Sequence, residues 1–392
     1  MRPAVYSLMS VVFSLTTGEF VIAGILPEVA EGLSVSVSTA GTLVTAYAVG
    51  MIVGGPVVTV LTARVARKPL VAGLVVFAVL ANLGSAIAPN YPVLLAMRAA
   101  AGLVVATFFA VAIATAVATA EAGREAAAVA RVALGMNLGI VLGTPIGAVI
   151  GQSLGWRATF VAVALSAAIA LPLVIRFMPE QPGAVDGSVL GELRVFGDRE
   201  VWWAIALTAL GNIGVVTVFT FIAPLLTDIS GFATSTVPVL LLVYGVGAII
   251  GNQVGGRLAD RALLPSVAGL LAALACALLL FWLIGGDRTG AAVLTFVIGA
   301  LAFAIIPGMQ TRVVAAAAVA PTLAVAVNAS GFQLAAACAG RLGGEVIGDG
   351  SGLRSIPLAG AVLTVAGATL AVWLAWRERT RGAAPARAVE NR

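Results

Sequence analysis

Two charged side chains stand where charge is expensive. Glu19 lies in TTGEFVIAG, residues 16 to 24, inside a run from Ala4 to Leu26 that holds no other charge, and Arg98 lies in LLAMRAAAG, residues 94 to 102. A charged group at the centre of a membrane costs about 2.5–3.5 kcal/mol on insertion scales, so each marks a functional site and calls for a partner. Counting residues gives the depth of each: Glu19 is seven residues from Leu26, and Arg98 is six from Pro92. At about 1.5 Å per residue both lie roughly 10 Å below the same membrane boundary. The chemistry open to such a pair is proton binding and release. The chain has no histidine, which removes the usual group that titrates near neutrality and leaves Glu19 to carry the proton. A coupling carboxyl is protonated while its site is dry or separated from Arg98, and ionised when water or substrate changes that contact. Two alternatives stay open at this point: a permanent buried salt bridge that fixes two helices, and a Glu19 facing a water-filled cavity without a partner.

The second half of the chain has no matching charges at that depth. Its intramembrane polar groups are Asn212, Asn328, Gln333 and the amides Asn252 and Gln253. Placed beside Phe20, Tyr47, Phe108, Phe109, Phe219, Tyr244 and Phe332, such uncharged groups suit a small, moderately apolar and largely neutral ligand. Taken singly, each aromatic is more often a packing or lipid-facing residue than a ligand contact. Arg341 and Glu345, four residues apart, read as a local pair on one helix face. Cys276 and Cys338 fall inside apolar spans and suggest neither a disulfide framework nor a metal site. There are no paired catalytic carboxylates in one span and no phosphate-binding glycine loop, so neither an enzyme nor a cofactor is expected.

The elements that position these residues follow from composition. Of 392 residues 61% are hydrophobic and 10% charged, against about 25% charged in a soluble domain. Apolar runs of about 20 residues, the length that crosses a bilayer, recur at 4–26, 39–60, 70–88, 92–114, 128–151, 158–178, 201–222, 237–256, 267–285, 291–310, 322–344 and 356–376. They predict an all-α integral membrane protein of twelve transmembrane helices. With a cytoplasmic N-terminus, seventeen Lys and Arg fall inside and three outside, which places both termini in the cytoplasm. This asymmetry accounts for the basic excess without nucleic acid. The expected partners are the lipid bilayer, protons and a small-molecule substrate, and the expected state is a monomer.

The polar stretch 179–200 divides the chain into an N-terminal six-helix bundle (1–178) and a C-terminal one (201–376), followed by a tail (377–392). The halves repeat. TAYAVGMIVGGPVVTVLTAR (45–64) and LVYGVGAIIGNQVGGRLADR (242–261) are identical at eight of twenty positions, as expected for two parallel halves related by an axis along the membrane normal. The fifth span carries Gly135, Gly139, Gly143, Gly147 and Gly151 at four-residue intervals, with Pro145 among them. Four residues are just over one turn, so these glycines form a stripe where another backbone can approach, and Pro145 adds a bend.

Six plus six helices with an inside linker resemble the major facilitator superfamily. TARVARKPL (62–70) is similar to that family's loop between helices 2 and 3, on Arg64, Arg67 and Lys68; GRLADR (256–261) is its second copy, on Gly256, Asp260 and Arg261. The resemblance implies a cytoplasmic gate whose acid contacts the opposite half, although Ala63 replaces that acid in the first copy. The glycine stripe with Pro145 and GWRATF (155–160) resembles the antiporter motif of the family's drug:proton exporters, here with Thr144 where a Gly usually precedes the Pro. Arg98 and Gly102 match its helix 4 motif, associated with proton coupling. TTGEFVIAGILPEVAEGLSV (16–35) resembles the first helix of a bacterial branch that includes chloramphenicol-resistance and arabinose-efflux-like proteins. The resemblance implies a proton antiporter in the bacterial inner membrane that exports a drug, with chloramphenicol or a related compound as the leading substrate and a sugar or metabolite as the alternative.

Overall fold

In lipid every backbone amide must be satisfied within its own segment, which leaves apolar runs of this length no option but helix. The computed structural model describes residues 3–62, 64–121, 124–181, 198–316 and 321–389, with the side chains of Ala126, Val314, Ala316, 321–328 and 381–389 excepted. The first half contains α1 (Pro3–Phe20), α2 (Val37–Thr62), α3 (Arg67–Ala86), α4 (Tyr91–Thr119), α5 and α6 (Trp156–Phe177); α5 runs as Glu125–Leu138, a π-helical turn Gly139–Gly143 and Thr144–Leu154. The second half contains α7 (Arg199–Thr220), α8 (Val237–Arg261), α9 (Leu263–Ile284), α10 (Arg288–Ala316), α11 (Pro321–Val346) and α12 (Ile356–Val389). Eleven of these carry a membrane-length apolar window among the described residues, and the 26-residue α11 completes twelve. The expected twelve-helix membrane fold is present, and no strand occurs among the described residues. Most of the expected linker, 182–197, lies outside them.

Three local features differ from a plain run of helices. The first span does not continue to Leu26: α1 stops at Phe20, passes through a tight 3-10 turn at Val21–Gly24 and restarts as a short helix, Leu26–Gly32. Pro27 in the first turn of that helix favours the restart, since its missing amide costs nothing there. The bend expected at Pro145 takes the form of the widened turn immediately before it, where a proline removes one helical hydrogen bond. The segment read as a tail from 377 instead prolongs α12 to Val389.

The internal repeat has a physical basis in helix contact. A side chain at Gly50 or Gly54 on α2 would run into the carbonyls of Ala99 or Leu103 on α4, and one at Gly247 or Gly251 on α8 into those of Phe296 or Ala300 on α10. Gly102 and Gly299 face back onto the Tyr47 and Tyr244 carbonyls in the same way. Each of these contacts recurs after the 197-residue shift seen in the sequence. Close backbone approach therefore explains why the repeat survives at these glycines.

The stripe on α5 performs the same role against α1. Gly135, Gly139 and Gly143 pack on Met9, Phe13 with Thr16, and Thr17, while Gly147 and Gly151 pack on Val21 and Ile25. A methyl group at Gly143 would overlap the Thr17 side chain. Gly143→Ala is therefore expected to destabilise the first half by about 1–3 kcal/mol, the usual range for overpacking, read as a lowered unfolding temperature of the purified protein. An unchanged temperature would show that α1 yields freely.

One cluster was hidden in the sequence. Glu200, placed at the edge of the linker by composition, accepts from Arg312 at 3.2 Å and Arg377 at 2.8 Å, and Arg312 also pairs with Glu378 at 2.7 Å. The network joins α7, α10 and α12 at the end of the molecule where α1 begins and α6 ends. That end is called terminal below, and the opposite one distal.

Candidate functional site

The site forms where α1, α2, α7 and α11 meet, at the level where α1 loses its regular helix. Carbonyls near a helix end have bonding capacity to spare, and Arg98 on α4 takes two of them: its Nη1 donates to the Gly18 carbonyl at 2.7 Å and its Nη2 to the Glu19 carbonyl at 3.2 Å. The guanidinium is fully buried, lies 4.4 Å from the centre of the Tyr47 ring and is 5.8 Å from that of Phe160. A cation at a helix C-terminus opposes the negative end of the helix dipole, and the Tyr47 face adds cation–π attraction.

Glu19 and Arg98 thus occupy one layer, as their residue counts require, but their side chains do not form the salt bridge considered from the sequence. Arg98 binds the backbone of α1. The Glu19 carboxylate points across the molecule and accepts from Gln333 Nε2 on α11 at 3.0 Å. This hydrogen bond joins the two halves. Gln333 is 7% exposed, and its amide oxygen is buried without a partner.

A small pocket lies beside this bond, lined by Glu19, Phe20, Tyr47, Phe219, Thr220, Phe332 and Gln333 with several aliphatic residues. Phe20 meets Phe219 edge-on at 6.1 Å between ring centres and Phe332 at 6.4 Å, and Tyr244 stands behind Phe219 at 4.8 Å. An apolar aromatic wall with one carboxylate and one amide is the result.

The remaining candidates are distributed as follows. Phe108 is fully buried in the core of the first half, and Phe109 packs against that core; neither lines the cavity. Asn212 is also away from it, because its amide donates to the Thr208 carbonyl at 2.8 Å and to Met309 Sδ at 3.4 Å inside the second half. The side chain of Asn328 lies outside the described residues. Asn252 and Gln253 do not line the cavity either, and Arg341 pairs with Glu345 at 2.8 Å on an exposed surface.

Among the described residues, the gate residues form no ion pair across the halves. Arg67 bonds to Gln181 at the start of the polar stretch, through Nη1 to the side-chain oxygen at 2.8 Å and through its amide to the carbonyl at 3.0 Å. Arg64, Asp260 and Arg261 are exposed, and none of them or Lys68 joins an ion pair among the described residues. Hydrogen bonds between the halves, among the described residues, lie at Glu19 or distal to it. Ser38 Oγ donates to the Gly344 carbonyl at 2.7 Å, and the α2 and α11 backbones touch at Gly41 and Gly340. The two halves are thus in contact at the distal end, above the pocket.

Comparison with known proteins agrees with this architecture. The sequence model described as Major Facilitator Superfamily matches residues 8–324. A chloramphenicol resistance protein of Streptomyces lividans is 35% identical over 391 residues, covering 97% of this chain and 98% of its own length. The inner membrane transport protein YdhP of Escherichia coli (strain K12) is 35% identical over 368 residues, 94% of each chain. Among solved structures, a bacterial homolog of the human lysosomal transporter Spinster, in an inward-facing and unoccupied conformation, superposes with a TM-score of 0.71 at 19% identity, over 94% of this chain and 95% of that one.

Proposed function

We propose, from the fact that this chain belongs to the Major Facilitator Superfamily, that it is a proton-coupled exporter of a small, largely apolar compound, with chloramphenicol or a close relative as the leading substrate. The observation that carries this reading is the carboxylate of Glu19, the only one among the described residues on the wall of an aromatic pocket between two halves that touch distally. A buried acid at that place is reached by protons or by substrate as the halves rock about it, which is how alternating access exchanges one for the other. The substrate is suggested by the Streptomyces lividans relative and by the aromatic, mostly neutral wall. In this reading the protein lies in the inner membrane with both termini in the cytoplasm, and the distal seal is the outer gate.

The test is uptake of labelled chloramphenicol into everted membrane vesicles under an imposed pH gradient. The expected result is accumulation that collapses when the gradient is dissipated. Absence of uptake by well-expressed protein would remove chloramphenicol, and gradient-independent uptake would remove the proton.

A further inference from the structure

Gln333 is buried on the cavity wall, donates through Nε2 to Glu19 Oε1, and leaves its amide oxygen unpaired. An unpaired buried acceptor is costly, by about 1–3 kcal/mol, and an amide has acceptor capacity that only a donor can use. Among the described residues no donor reaches this oxygen. Two donors can arrive there. One is the O–H that Glu19 gains on protonation, because a carboxylic acid facing an amide forms a second hydrogen bond, O–H to amide oxygen, beside the existing N–H to carboxyl oxygen. The other is an O–H or N–H group of a compound in the cavity.

We propose that the amide oxygen of Gln333 is the shared acceptor for which proton and substrate compete, and that the substrates are compounds bearing a hydroxyl or N–H donor next to an aromatic or aliphatic body. With Glu19 protonated, the acid proton occupies the oxygen and the glutamate–glutamine pair closes on itself. With Glu19 ionised, its carboxylate has no proton to give, and the amide oxygen is free to accept from the substrate. Competition therefore needs no contact between substrate and carboxylate, which suits a neutral ligand. The bonds also span α1 and α11, so the exchange takes place at the joint between the halves.

The groups around Glu19 are compatible with this exchange. From α4, Arg98 is committed to the α1 carbonyls, and from α2 Tyr47 lies against Arg98 with its hydroxyl toward the Leu15 carbonyl at 3.4 Å. α7 presents Phe219 and Thr220, α11 presents Phe332 and Gln333, and Tyr244 of α8 stands behind Phe219. None of these competes as a second acid.

The inference rests on the reading that Glu19 carries the proton, and two measurements separate the two claims. The first uses ligand-free purified protein: infrared difference spectra between acid and neutral pH, with the Glu19 carboxyl band identified by its loss in Glu19→Gln. In Gln333→Leu that band is expected to move to higher frequency, as its O–H loses the amide acceptor. A titrating band at the same frequency in both proteins overturns the shared acceptor while leaving Glu19 as proton carrier, and no titrating carboxyl band overturns both.

The second measures labelled chloramphenicol binding against pH. Wild type is expected to bind more weakly as Glu19 becomes protonated, whereas Gln333→Leu binds about three- to tenfold more weakly at neutral pH, the loss of one hydrogen bond, and with little pH dependence. Wild-type pH dependence in Gln333→Leu overturns the proposal. Absence of binding by wild type removes chloramphenicol, and the infrared result then decides the shared acceptor alone. Gln333→Met, closer in length, replaces the leucine variant if that one does not fold.

Discussion

Glu19→Gln is expected to abolish gradient-driven accumulation and to leave downhill exchange of substrate running, at the weaker affinity of the protonated protein. Glutamine has the shape of the neutral acid: its side-chain oxygen can still accept from Gln333 Nε2 and its NH2 can donate to the Gln333 oxygen, so the joint between α1 and α11 is preserved while substrate meets the weaker binding of the protonated state. What disappears is the only carboxyl on the cavity wall among the described residues. One pH unit corresponds to about 1.4 kcal/mol per proton, or about tenfold accumulation for each proton exchanged. In vesicles with a gradient of about one unit the variant is therefore expected to show a concentration ratio of one, against about ten for wild type at one proton per substrate. Counterflow of labelled against unlabelled substrate, with no gradient present, checks that the variant still transports. Accumulation at the wild-type level would remove Glu19 from the coupling path, and loss of counterflow even at saturating substrate would make it a structural residue.

This prediction depends on a pairing that the sequence only half disclosed. The layer shared by Glu19 and Arg98 was legible because helix rise is constant and both residues could be counted from their helix ends. Their relation was not, because it depends on α1 stopping at Phe20. Gly18, Gly24 and Pro27 were visible, yet nothing in TTGEFVIAG states that the carbonyls of Gly18 and Glu19 rather than the carboxylate would receive the guanidinium. Gln333 was recognised as a polar group in an apolar span, but its bond to a residue 314 positions earlier is a tertiary fact that spacing cannot supply.

The repeat shows the opposite case. Gly50 with Gly247 and Gly54 with Gly251 could be aligned from the sequence alone, because the same steric demand, a carbonyl at the same height on the neighbouring helix, acts twice. Aromatics were less informative. Phe20, Phe219, Phe332 and Phe108 look alike in an apolar span, and only the direction in which each helix faces separates the three on the cavity wall from Phe108 in the first-half core. Charge near a span end was also ambiguous: Glu200 reads as linker, yet it holds two arginines from helices that arrive over 100 residues later.

Gly340→Val is expected to stop transport by preventing distal closure. Gly340 on α11 lies against the carbonyl of Gly41 and the hydroxyl of Thr45 on α2, so a side chain there would overlap the opposite half in the sealed state. The contact joins two bodies that must separate when the distal end opens, and only the sealed state bears the strain. Overpacking of about 1–3 kcal/mol displaces a two-state equilibrium by about 5- to 150-fold, toward a molecule open at the distal end. The measurement is labelling of Ser38→Cys by a membrane-impermeant maleimide from the distal side, with Cys276 and Cys338 changed to serine. Ser38 sits beside Gly344 in the seal, so its reactivity reports opening. Labelling is expected to rise sharply in Gly340→Val while gradient-driven uptake falls to background. Wild-type labelling in a folded, inactive variant would mean that Gly340 acts within α11 and not at the joint. Wild-type uptake would mean that the seal seen at Gly41 and Gly340 is no obligatory step of the cycle.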